Sequence, residues 1–180
     1  MFQNLICTRF SSEALKELID KGFCVMPASV KYHGAYTGAL FDHSYAVAMI
    51  LQQLTDKLGL KWEKLGSPTI VGMCHDFCKI DKYQQGIILG TGVGEICGQK
   101  PVWDYRQSND IFPIKGHGAR SVILVQKNIK LTDEELLCIY HHMGAYEKDD
   151  WSEFDQAIKR YPNVLWTHQA DMIASKILGV

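Results

Sequence analysis

The sequence predicts an all-α fold, a helical bundle broken by one irregular or β-hairpin excursion at about residues 83–116. Three observations predict it. The dominant hydrophobic period is helical, capping and stop residues mark most helix ends, and glycines with β-branched residues gather in the one stretch lacking that period.

Residues 11–22 (SSEALKELIDKG) read as a short helix with a serine cap, Glu13 in the first turn and Gly22 as its stop. Across residues 35–58, Leu40, Val47, Ile50, Leu51, Leu54 and Leu58 form one apolar stripe, so this segment should be a long helix. Residues 68–80 open with Pro68 and are mostly apolar, which predicts a central helix. Another covers residues 117–130. The next has a clear beginning: Thr132 and Glu135 form a capping box, with Leu131 and Leu136 as the hydrophobic staple. It should run through His142 and stop at Gly144. Helices at 151–160 and 163–178 follow, separated by Tyr161-Pro162.

The excursion is rich in glycine and turn formers and should leave the helical body and return at Gly116. Its GTGVGEICG (90–98) lacks the G-K-[ST] ending of a phosphate loop and leads into KPVWDYR rather than a helix. A hairpin turn or lid is the reading it supports. Trp103, Tyr105 and Arg106, further along, either stack a base or anchor the loop.

The 180 residues suit one domain, with a core at about 32–176 preceded by the short N-terminal helix. Apolar residues make up 47% and charged residues 22%, an ordinary globular composition. A formal net charge of −1 provides no global field for nucleic acid. Cysteines stand at 7, 24, 74, 78, 97 and 138 with no C-x-x-C pair, which predicts free thiols in a reducing, cytoplasmic setting. No run approaches the roughly 18 apolar residues of a membrane span.

Chemistry concentrates in VGMCHDFCKI (71–80). At about 100° per helical residue, His75, Asp76 and Lys79 share one side, while Cys74 and Cys78 fall on the other. A histidine and an aspartate in an apolar helix must pair with each other, fixing the packing alone, or ligate a metal. The other candidates favour a metal. His43 lies in the stripe with Leu40, Val47 and Ile50, and His117 stands between two glycines at a helix start. His141 and His142 end the capped helix, and Asp171 has apolar neighbours within the last helix. Imidazoles and carboxylates converging in a helical core describe a metal site.

His43, then His75-Asp76, then Asp171 resembles the H…HD…D signature of the HD superfamily of metal-dependent phosphohydrolases, over about residues 32–176. GHGARSV and HHMG resemble the subset that holds two metals, and YHGAYTGALFDHS is similar to the segment opening the HD domain of certain bacterial 3′–5′ exoribonucleases. The resemblance implies a first metal on His43, His75, Asp76 and Asp171. Asp76 would bridge to a second on His117 and His142, with His141 a further ligand or a substrate contact. It implies Mn²⁺, Fe²⁺, Co²⁺, Ni²⁺ or Mg²⁺, and the imidazole-rich shell disfavours Mg²⁺. Lys79 matches the H-D-x-x-K form and, with Arg120, would contact phosphate. HDFCK lacks the acidic pair of the alarmone hydrolases, and HHMGAYEKDD lacks the glycine-tyrosine-proline signature of the cyclic-di-GMP enzymes.

The expected function is hydrolysis of a phosphomonoester or phosphodiester of a nucleotide or short oligonucleotide by metal-activated water, with Asp76 and Lys79 as the catalytic residues. The alternative is a catalytically silent metal-binding domain used for nucleotide sensing or protein interaction.

Overall fold

A computed structural model describes residues 9–30, 34–88, 100–106, 111–145 and 150–180. The described chain is mostly helical, with one small two-stranded sheet. In order, α1 covers Ser12–Asp20, α2 Ala39–Leu58 and α3 Ser67–Cys74, followed by a 3₁₀ turn at Phe77–Lys79. The strands are β1 (Tyr83–Ile88) and β2 (Lys100–Tyr105). Then come α4 (His117–Gln126), α5 (Asp133–Tyr140), α6 (Asp150–Arg160) and α7 (Asn163–Met172), which continues as a π-helical turn at Ile173–Leu178.

The α1 cap forms as its sequence predicts, with the Ser11 hydroxyl accepting from the Ala14 N–H at 3.1 Å. On α2, Leu40, His43, Val47 and Leu51 are all fully buried, so the stripe carries a histidine into the core. Its far end is looser, because Leu58 is exposed. The Thr132–Glu135 capping box on α5 is present in both directions. Its Glu135 carboxylate also accepts from the Ser67 hydroxyl at 2.7 Å and pairs with Arg9, so one buried acid joins the starts of α3 and α5.

α2 and α3 form the most extensive helix pair, and Gly72 is the reason they can. A Cβ at Gly72 would lie 2.3 Å from the Ala48 Cα, so the helices touch backbone to backbone there. Gly118 does the same for α4 against the end of α5, where a Cβ would meet the Tyr140 carbonyl oxygen at 1.8 Å. These two contacts draw His75 toward His43 and His117 toward His142.

The excursion contains an antiparallel hairpin, with Tyr83 opposite Tyr105 and Ile88 opposite Lys100. Trp103 docks it on the body by donating from Nε1 to the Thr37 hydroxyl at 3.3 Å. The Arg106 Nε–H closes its base on the Tyr83 carbonyl at 2.7 Å, so both residues serve as anchors. The glycine-rich turn lies outside the described residues, as do Cys7 and Cys97. Cys24, Cys74, Cys78 and Cys138 are free thiols. No helix among the described residues is long and apolar enough to cross a membrane.

Four helices end earlier than the sequence predicts: α4 stops at Gln126 rather than residue 130, α5 stops at Tyr140 rather than His142, and two further breaks shape the site. The central helix stops at Cys74 rather than residue 80, because Asp76 adopts φ −107° and ψ 22° and the chain tightens into the 3₁₀ turn. The last helix keeps α geometry only to Met172, then widens. Both breaks adjoin the polar cluster described below, which apolar periodicity does not register.

Replacing Gly72 by Ala should cost at least about 2 kcal/mol, because backbone rather than a flexible side chain must give way. Thr132→Ala should cost about 1 kcal/mol through loss of its cap. Urea denaturation of both variants checks the order.

Candidate metal centre

Five segments deliver polar side chains to one buried spot: His43 from α2, His75 and Asp76 from the end of α3, His117 from the start of α4, His142 after α5, and Asp171 from α7. The Asp76 carboxylate is the hub. Its Oδ2 lies 3.4 Å from His75 Nε2, 3.6 Å from His43 Nε2 and 2.6 Å from Lys79 Nζ. Its Oδ1 faces the other way, 3.6 Å from His142 Nε2 and 4.0 Å from His117 Nδ1. Asp171 closes the first side, with Oδ1 at 3.1 Å from His43 Nε2 and 3.9 Å from His75 Nε2.

The histidine rings are oriented by backbone carbonyls. Nδ1 of His75 faces the Gly72 carbonyl at 2.8 Å, Nδ1 of His142 the Ile139 carbonyl at 2.7 Å, and Nδ1 of His43 the Val180 carbonyl at 3.0 Å. Each contact places a ring proton on Nδ1 and turns Nε2 inward, toward the carboxylates. This is how metal-binding imidazoles are held. His43 Nε2 and His75 Nε2 then stand only 3.1 Å apart, with carboxylate oxygens around them. A set of electron-pair donors at such separations calls for a shared cation.

The same follows from groups left without partners. His142 Nε2 and His117 Nδ1 are buried and have no hydrogen-bond partner, and both face Asp76 Oδ1. Burying such nitrogens unpaired costs about 1–3 kcal/mol each. His43, His75 and Asp171 form one buried group that can hold a metal ion, and Asp76, Cys78 and His117 form another.

Protonation suits the donor role at two of the rings, whereas His142, despite its burial, is raised by Asp76, so a metal there would displace a proton. Burial lowers His75 despite the carboxylates beside it, and burial pushes His117 down to about 4, so both rings are neutral near pH 7. Burial alone would raise Asp76, but the Lys79 ammonium and His75 hold it well below the usual carboxylate range. Burial would likewise raise Asp171, and its contact with His43 brings it to about 2. Lys79 is raised: burial opposes its charge, but Asp76 more than restores it.

No family model, curated protein or solved structure matches the chain.

Of the expected residues, His43, His75, Asp76, Lys79, His117, His142 and Asp171 come together. Arg120 and His141 do not. Arg120 is buried in an ion pair with Asp81, which holds the exit of the 3₁₀ turn instead of facing the cavity. The His141 ring turns the other way and packs on Tyr140 and Phe154, with Nε2 4.0 Å from Glu153. Cys78 is a correction of the opposite kind. The break after Cys74 undoes the helical-wheel separation and brings its Sγ to 4.0 Å from Asp76 Oδ1. Burial and that carboxylate push its thiol up to about 12, so it stays protonated.

Two residues were missed. Lys82 places its Nζ 3.1 Å from His117 Nε2, and burial lowers its pKa. His168 supports the site by placing Nδ1 2.9 Å from the His142 carbonyl. Each had a signal in the sequence: Lys82 follows Lys79 by three, and His168 precedes Asp171 by three on the same helix. A cavity of about 400 Å³ opens over Asp76, with Lys79, Lys82, His117, His168 and Asp171 in its wall.

Titrating the metal-free chain with Co²⁺ should raise Tm by about 5–10 °C at a hundredfold excess over Kd, and a chelator should reverse the rise. His75→Ala should remove most of that shift. A melting curve indifferent to divalent metals would exclude the centre.

Proposed function

We propose that the chain is a metal-dependent phosphohydrolase acting on a phosphomonoester or phosphodiester of a nucleotide or short oligonucleotide. One observation carries the reading: the two oxygens of a single buried carboxylate, Asp76, face two separate sets of imidazoles. That arrangement suits a carboxylate shared by two cations, with His43, His75 and Asp171 on one side and His117 and His142 on the other. The resemblance to the HD superfamily supports the same division. The donors are imidazole and carboxylate, which favours Mn²⁺, Fe²⁺, Co²⁺ or Ni²⁺ over Mg²⁺.

Metals held there would supply Lewis acidity for activating water and polarising the phosphoryl oxygens. The chain's own residues do the rest. Lys79 carries a positive charge into the cavity wall beside Asp76 and meets the charge that develops on the phosphoryl oxygens. Lys82, on the far side next to His117, offers a second cation to the same group. The backbone carbonyls behind His43, His75 and His142 keep the rings from rotating, so little reorganisation accompanies the reaction.

The test is a matrix of substrates and metals: nucleoside monophosphates, cyclic nucleotides, short oligonucleotides and p-nitrophenyl phosphate, each with Mn²⁺, Co²⁺, Ni²⁺ and Mg²⁺. Turnover is expected with a transition metal, and Asp76→Ala should abolish turnover and metal binding together. Lys79→Gln should keep its metal and lose about 10²-fold in kcat. Metal bound without turnover of any ester would favour a sensing or interaction module instead, and turnover retained by Asp76→Ala would sink the assignment.

A further inference from the structure

A second cavity, about 500 Å³, lies against the first and shares His117 and Met143 with it. Both volumes fall in the range of small-molecule sites. Nothing in the proposed hydrolysis uses the second one.

Its walls are of two kinds. On one side stands the first turn of α4 with Lys115 before it, and that turn has no capping side chain. The leading N–H groups of a helix have no partner within it, so this wall offers donors. On the other side Asp150 and Glu153 bring carboxylate acceptors. Between them sits His141, more than nine-tenths buried, with an Nε2 that has no hydrogen-bond partner. Its ring is fixed between Tyr140 (centroids 4.7 Å apart) and Phe154 (5.8 Å), so it is held in place at the cavity wall with Nε2 4.0 Å from Glu153.

Donors facing acceptors do not suit a second phosphate, which the two carboxylates would repel. They suit an uncharged, hydrogen-bonding body whose edge both gives and takes protons. Since His117 also borders the metal centre, a ligand spanning the shared rim would place its phosphate over Asp76.

We infer that this second cavity receives the polyhydroxylated, uncharged body of the phosphate ester, the sugar with or without its base, and that His141 and Glu153 recognise it. The inference rests on the phosphohydrolase reading for the phosphate end alone. It makes His141 a binding residue rather than a metal ligand.

The experiment uses the metal-free chain, so binding is read apart from turnover. Adenosine, uridine and ribose are titrated by calorimetry into the wild type, His141→Ala and Glu153→Ala. Saturable binding of the nucleosides, weakened at least tenfold in both variants, is expected and points to a nucleotide. The same pattern with ribose supports the inference with a sugar phosphate as the source. No saturable binding, or binding indifferent to both variants, overturns it. Glu153 is exposed, so its variant stays informative should His141→Ala fail to fold. With metal present, the ratio of kcat/KM for a nucleoside monophosphate over p-nitrophenyl phosphate should also fall at least tenfold in Glu153→Ala. If no ester is turned over but nucleosides still bind, the hydrolase reading fails and the subsite stands.

Discussion

The burial of the Asp76 carboxylate constrains everything around it. An ionised carboxylate removed from water costs several kcal/mol unless partners restore what hydration supplied. Here it is almost wholly enclosed, and the one permanent cation touching it is Lys79 among the described residues. One ammonium on one oxygen leaves the other oxygen facing two imidazole nitrogens beyond hydrogen-bonding reach. A protein core keeps such a group ionised and under-paired when a further cation completes it. That requirement links the polar cluster to the stability of the fold.

The scaffold meets it with helix ends. The residues of the cluster lie at or near termini: His75 caps α3, His117 opens α4, His142 follows α5, and Asp171 precedes the π-helical turn. Helix ends leave carbonyls without intrahelical partners, and these are the acceptors that orient the rings. His142 faces the Ile139 carbonyl and in turn offers its own carbonyl to His168. The chain just beyond the π turn supplies the Val180 carbonyl to His43. The arrangement needs close helix crossings, which explains backbone contact at Gly72 and Gly118. Gly72 serves twice, once by lacking a side chain and once by accepting from His75.

Much of this was legible in the residues. The serine cap, the capping box and the glycine-rich excursion each state a local preference that tertiary packing had no reason to override. His43 could be placed inside because it shares a stripe with Leu40 and Val47. What periodicity cannot register is where a helix yields to chemistry. Reading residues 68–80 as one cylinder set Cys78 apart from Asp76, whereas the tightened turn brings them together. Arg120 is the converse. A guanidinium near a phosphate motif invites a catalytic role, but its partner Asp81 lies 39 residues earlier, and no local pattern connects them. His141 and His142 could be separated by angle, but which of them faced inward was a tertiary question, settled by the contact of α4 with α5.

Charge gives the centre its direction. Without metal, two carboxylates, Asp76 and Asp171, face Lys79 and a Lys82 whose charge burial weakens, while His75 and His117 stay neutral. Despite its burial, His142 is raised by Asp76, so the metal-free cavity holds nearly balanced charge and gives an anion little net attraction. Each divalent cation added changes that balance by two, and after the first the cavity carries a net positive charge with Lys79 and Lys82 in its wall. In a site with low-dielectric walls the change is felt strongly and at short range. Under the proposed function a phosphate ester would then meet stronger attraction than the metal-free cavity offers, and metal would bind before substrate. A neutral nucleoside or sugar would feel none of this, because the partners proposed for it lie in the second cavity, across His117 from the charge.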